Sequence, residues 1–216
     1  MKQVILICVL AILSGCVTAL PPGAAPISSL SDAEAKQSKI ATEKGYRHIS
    51  NDTNIRLISA LPGKLGNWSE EPGHYVNNYE THYHGLGYSK RYNEGPRRPV
   101  WADVYFFHAR QTGMSDGIES KQFVSMWRQT ISEISFKYDV KDKTDRFEIF
   151  HDMKFRKCRF TIISGERKLE SLMYLTVFEG TFLKVRITYR PDYKDAQTEI
   201  DNFMNDLAGS LTKWKI

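Results

Sequence analysis

The 216-residue chain is 41% hydrophobic and 12% aromatic, and its 30 Lys and Arg against 25 Asp and Glu leave a net charge of +5. That composition excludes a disordered chain and suits a single domain with a substantial core. A nucleic-acid binder is excluded too: the positive balance is mild, and the sequence has neither an RNP-type motif nor a long basic run.

The first element is a leader. Lys2 precedes an apolar run over 4–13, and the small residues Ser14 and Gly15 follow. A charged start, an apolar stretch and small residues form a secretory signal. The run is about ten residues, half of the ~20 that a spanning helix needs. Its ending, Leu13-Ser14-Gly15-Cys16, resembles the lipobox of bacterial lipoproteins. The resemblance implies that 1–15 is a signal peptide cleaved after Gly15. It also implies a diacylglycerol thioether on the Cys16 sulfur and acylation of the new amine. Two or more acyl chains, at about 0.8 kcal/mol per buried methylene, anchor durably. Val17 follows Cys16 where an Asp would favour inner-membrane retention, so in a cell with two membranes the resemblance favours the periplasmic face of the outer membrane, and in a cell with a single membrane its outer face. Of three cysteines, Cys8 leaves with the signal, Cys16 takes lipid and Cys158 remains. No intrachain disulfide is then available.

Residues 16–30 form a tether, because Pro21, Pro22, Gly23 and Pro26 forbid regular structure. Residues 31–54 read as a short helix and linker, opened by a Ser31–Glu34 capping box and stopped at Gly45. The globular domain spans 55–216. A strand is expected over 55–61, then irregular strands within 68–79 and 82–92 and a strong aromatic strand over 100–109. A helix over 121–134 follows, N-capped by Ser120, with Phe123, Met126, Trp127, Thr130, Ile131 and Ile134 at helical spacing. The charged stretch 137–146 is expected to be exposed. Three strands come next, over 146–151, 155–164 and 168–178.

A two-residue turn at Glu179-Gly180 leads to a fourth strand over 181–189. There Leu183, Val185 and Ile187 should face the core opposite Thr176, Tyr174 and Leu172, with Lys184, Arg186 and Thr188 on the other face. A last helix over 193–211 carries Tyr193, Ala196, Ile200, Phe203, Leu207 and Leu211 on one stripe. The fold class is α+β: an antiparallel sheet packed by a central helix and a C-terminal amphipathic helix. The closing strand, hairpin and helix, about the last 50 residues, resemble the end of photosystem PsbP-like domains. That resemblance carries no functional residue.

Four groups of residues bear on chemistry. His82 and His84 would share a face on a strand and meet one metal, with His74 or His108 as a third ligand; surface histidines are the simpler reading. Nucleophilic hydrolysis finds no elbow, since Ser89 follows Gly85 and Gly87 instead of lying between glycines. Cys158, inside a strand, reads as a small core residue. The carboxylate pairs Glu70 with Glu71 and Asp142 with Asp145 lie in polar segments and read as solvated. The basic residues come third: Lys90, Arg91, Arg97 and Arg98; Lys154, Arg156, Lys157, Arg159, Arg167 and Lys168; Lys184, Arg186 and Arg190. If their faces coincide they form a basic sheet surface for lipid head groups, wall polymer or an acidic partner. Last are the aromatics Trp68, Tyr75, Tyr79, Tyr83, Tyr88, Tyr92 and Trp101, which suit an interface or stacking on sugar rings.

The residues therefore lead to an envelope lipoprotein held at the membrane through Cys16. It would act as a non-enzymatic binding or assembly module for an envelope protein or an anionic polymer. No nucleic acid, metal, cofactor or catalytic residue is expected. The alternative is an envelope hydrolase acting on wall or glycan. A pocket uniting histidines with a carboxylate would favour the enzyme, and a flat basic or aromatic face the binding module.

Overall fold

A computed structural model describes residues 52–71, 76–77, 87–94, 100–109, 111, 113–142 and 147–214. Among the described residues there are three helices: α1 (Asp52–Ala60), α2 (Lys121–Lys137) and α3 (Ala196–Thr212). The strands are β1 (Lys64–Leu65), β2 (Trp68–Glu70), β3 (Val76–Asn77), β4 (Tyr88–Asn93) and β5 (Val100–Phe107). They continue with β6 (Asp139–Asp142), β7 (Phe147–Phe150), β8 (Met153–Ser164), β9 (Arg167–Phe178) and β10 (Thr181–Tyr189). All join one antiparallel sheet in the order β1-β2-β4-β5-β10-β9-β8-β6, with β3 beside β4 and β7 beside β8. The expected class, an antiparallel sheet packed by a central and a C-terminal helix, is the one found.

The expected strand at 55–61 is instead helix α1. Asn54, Leu57 and Ile58 are its buried positions, with Leu61 just past its end also buried, while Arg56, Ser59 and Ala60 are exposed. That is the i, i+3, i+4, i+7 spacing of a helix face, so the period of 3.6 prevails over the β-branched residues. The Thr181 hydroxyl lies 2.6 Å from Asn54 Oδ1 and 2.9 Å from the Phe107 carbonyl oxygen, which docks α1 against β5 and β10. The stretch 137–146, expected to be exposed, also differs. Residues 139–142 pair with β8, and the half-buried Tyr138 and Val140 pack on the core of that face.

The β9–β10 hairpin has the register read from alternation: Leu183 pairs with Thr176, Val185 with Tyr174 and Ile187 with Leu172. Its turn sets Glu179 at φ 48° and Gly180 at φ 71°, the left-handed pair that matches strand twist. On this first face α3 crosses the sheet. Ile200, Phe203, Met204, Leu207 and Leu211 are fully buried, each contributing roughly 1.5–3 kcal/mol. Phe203 anchors the layer, its ring 4.9 Å from Trp68 and 5.6 Å from Tyr92 between centroids.

The other face is packed as well, so residues 171–178 are buried without alternation. Phe123, Trp127 and Ile134 of α2 meet Cys158, Phe160, Met173, Leu175 and Val177. Ser120 caps α2, its Oγ accepting from Phe123 N at 3.0 Å. The preceding segment is fixed by paired backbone bonds between Gly117 and Val177, at 2.9 and 3.0 Å. The result is a sheet with α1 and α3 on one face and α2 on the other.

Candidate functional site

α2 lies over β8 and β9, and the rest of its face is formed by β10, β5 and β4. The pleat brings three rows of side chains together there. Lys184 is opposite Tyr105, which is opposite Ser89. Arg186 is opposite Asp103, which is opposite Arg91. Thr188 is opposite Trp101, which is opposite Asn93. Period-2 alternation in the segment VWADVYFF puts Trp101, Asp103, Tyr105 and Phe107 on this face together.

Cations and rings interleave across the rows. Lys184 Nζ lies 4.4 Å from the Tyr105 ring centroid and 5.5 Å from that of Phe107. The Arg186 guanidinium carbon lies 5.5 Å from the Phe160 centroid and 6.0 Å from that of Tyr138. Such pairs contribute about 0.5–2 kcal/mol each, more as they are desolvated. Arg186 Nε also donates to Ser171 Oγ at 3.3 Å. Arg91 grips Asp103 with two bonds, Nε to Oδ1 at 2.6 Å and Nη2 to Oδ2 at 3.2 Å. Burial opposes the Arg91 charge, but the Asp103 hydrogen bond and charge outweigh it and hold the guanidinium above its ordinary pKa. Trp101, Tyr105, Phe107, Lys184 and Arg186 are half-buried, whereas Asp103 is 7% exposed. One carboxylate set among Arg91, Lys184 and Arg186 leaves these rows net positive. Flat apolar rings beside fixed cations suit an acidic, partly apolar surface.

The single basic surface expected from sequence is thus divided. Lys90 and Arg91, neighbours in sequence, point to opposite faces. Lys90 is buried under α1, where Nζ donates to the Leu61 carbonyl at 3.0 Å and meets Glu70 at 2.9 Å. Glu70, expected to be solvated, holds that structural pair. On the first face Lys157 bonds Glu148 at 2.7 Å, and Arg159 contacts Glu170 at 3.2 Å. On the other, Lys154 lies 3.9 Å from Glu119. Arg190 pairs with Asp192 at the strand end. Alternation sorts basic residues by parity, so adjacency in sequence separates them.

The histidine expectation is resolved only in part. His74, His82 and His84 lie outside the described residues, as do Arg97, Arg98, Asp145, Tyr75, Tyr79, Tyr83 and Cys16. His108 is 8% exposed at the end of β5. Among the described residues no group of three His, Cys, Asp or Glu is placed to hold a metal ion. No described helix is long and apolar enough to cross a membrane. Cys158 is fully buried in the core under α2. Trp68 and Tyr92 are core residues beneath α3, whereas Trp101 belongs to the interleaved face. Asp103 and Tyr105 were not singled out from sequence; their alternation with buried Val104 and Phe106 was the available signal.

No family model matches the chain, and no curated protein matches it. Among solved structures it is similar to "Crystal structure of LpqN involved in cell envelope biogenesis of Mycobacterium tuberculosis", with a TM-score of 0.41 and 12% identity. That likeness covers 69% of this chain and 79% of LpqN.

Proposed function

We propose that this chain is a membrane-anchored envelope lipoprotein that works as a non-enzymatic binding or assembly module. Anchoring rests on Leu13-Ser14-Gly15-Cys16 and the short apolar run before it. Lipid on Cys16 holds the domain at the membrane, on the periplasmic face of an outer membrane, and residues 17–30 let it search roughly 45 Å at ~3.3 Å per residue. The observation that carries the binding reading is the set of rows in which Lys184 and Arg186 stack among Tyr105, Phe107, Phe160 and Tyr138. Pre-positioned cations on flat rings lose little rotamer freedom when a partner docks, which favours recognition. The partner is an acidic envelope protein or anionic polymer.

Two variants of the full-length chain test this. Cys16→Ser should abolish incorporation of labelled palmitate; label persisting on that variant would overturn the anchor. Lys184→Gln with Arg186→Gln should reduce recovery of the crosslinked partner by roughly a hundredfold, as expected for two charged contacts at about 1.4 kcal/mol each. Undiminished recovery would remove the binding face from the account.

A further inference from the structure

On the opposite side of the sheet, the β1–β2 turn, the β7–β8 turn and the C-terminal half of α3 line an open recess of about 420 Å³. Asn205 and Thr212 line it and bond carbonyls of α3; its other polar lining comes from Lys64, His151, Asp206, Ser210 and Lys213. Among the described residues none of these last five side chains forms a hydrogen bond or ion pair. Lys64, His151, Asp206 and Lys213 are exposed and Ser210 is half-buried, so water satisfies them in the free protein; what marks them is that they converge on one concavity.

The surrounding backbone is shaped to bring them in. Gly66 has φ +56°, and a Cβ there would lie 2.9 Å from Asp206 Oδ2. At Gly209 a Cβ would lie 3.1 Å from His151 Nε2, so the imidazole rests directly on the helix backbone. His151 and Asp152 form the β7–β8 turn at φ 43° and 65°. That left-handed pair is the two-residue turn that matches strand twist, as at Glu179-Gly180, and it presents the His151 ring to α3.

The chemistry selects the ligand. Two ammonium groups face one carboxylate, so a cation is disfavoured. The carbonyl end of α3 opposes an anion only weakly, because Thr212 Oγ1 donates to the Gly209 carbonyl at 3.1 Å and Trp214 N to that of Leu211 at 3.0 Å. Leu65, the apolar lining residue, is 2% exposed, so there is no greasy wall. Donors spread over three elements suit a tetrahedral anion better than the two coplanar oxygens of a carboxylate.

We propose that this recess binds a phosphate-type oxyanion, free or as a head group. Lys64 and Lys213 supply charge, the Ser210 hydroxyl and a His151 ring N–H supply hydrogen bonds, and Asp206 limits how much negative charge is admitted. The inference uses only folded-domain residues, so it stands or falls separately from the Cys16 anchor.

The test is titration of inorganic phosphate into the detergent-solubilised full-length chain at constant ionic strength, read on the His151 ring by nitrogen–proton correlation NMR. A parallel titration uses phosphatidic acid in the same detergent. Saturable shifts with either probe support the proposal, and which probe saturates identifies the source. Lys64→Gln and Lys213→Gln should each weaken binding by roughly tenfold. Asp206→Asn should strengthen it, since it removes a repulsive charge. Gly209→Ala should displace the ring and lower affinity while the melting temperature holds, because alanine favours the helix. Shifts that rise linearly with both probes and equally in all variants would overturn the proposal. So would weaker binding in Asp206→Asn.

Discussion

Replacing Lys90 with Met isolates one buried charge. Lys90 is 4% exposed, yet its stem is apolar and close in volume to methionine, so little cavity is opened. What is lost is the ammonium between the Leu61 carbonyl at 3.0 Å and Glu70 at 2.9 Å. The orphaned carbonyl costs about 1 kcal/mol. Breaking a buried pair costs about 3–5 kcal/mol, but the Glu70 side chain is 22% exposed and recovers some hydration, so about 2 kcal/mol is assigned to it. The total of about 3 kcal/mol lowers the melting temperature by about 6–12 °C in a domain of this size. Urea unfolding followed by tryptophan fluorescence should show a lower midpoint at unchanged slope. Adding Glu70→Gln should recover about 1–2 kcal/mol, because the amide needs no counter-charge. A single substitution costing under about 0.5 kcal/mol, or a double variant no more stable than the single, would refute the reasoning.

Other outcomes follow from the same packing. Phe203→Ala should cost about 3–5 kcal/mol in the same assay, because Trp68 and Tyr92 cannot close the void beneath α3. Ser120→Ala should cost about 1 kcal/mol by orphaning Phe123 N at the start of α2. Burial first, and then the Glu148 charge, hold the Tyr174 hydroxyl far above its usual range. The folded state therefore keeps a proton that the unfolded chain releases near pH 10, so this stability is whole below that pH and is lost as pH rises through the folded pKa. Chemical denaturation at pH 9 and pH 11 should show that decline, and Tyr174→Phe should reduce it.

Much of the fold was legible because local and tertiary preferences agree. The β9–β10 register follows from alternation in β10 and from a turn whose Glu179-Gly180 pair takes left-handed φ values. The stripes of α2 and α3 follow from 3.6-residue spacing. The second buried face was not legible: Met173, Leu175 and Val177 extend the apolar run in β9, and α2 turns out to cover them. Helix α1 was misread because Ile55 and Leu57 also fit a strand, and only the buried pair Leu57–Ile58 with Leu61 breaks the tie. The interleaved face was half legible. Lys184 and Arg186 were assigned to it, but Tyr105 and Asp103 join them only through the β5–β10 pairing. The His151 recess has no local signature, since its walls are some 50 to 150 residues apart and meet through two turns and a helix.

The binding face is tested most directly by photocrosslinking from single positions of the anchored, full-length protein in cells. A photoreactive phenylalanine at Trp101 or Tyr105 should capture one common partner. The same group at Asn202, exposed on α3 on the other side of the sheet, should not. Equal capture from Asn202, or no capture from Trp101 and Tyr105, would contradict the assignment of this face to binding.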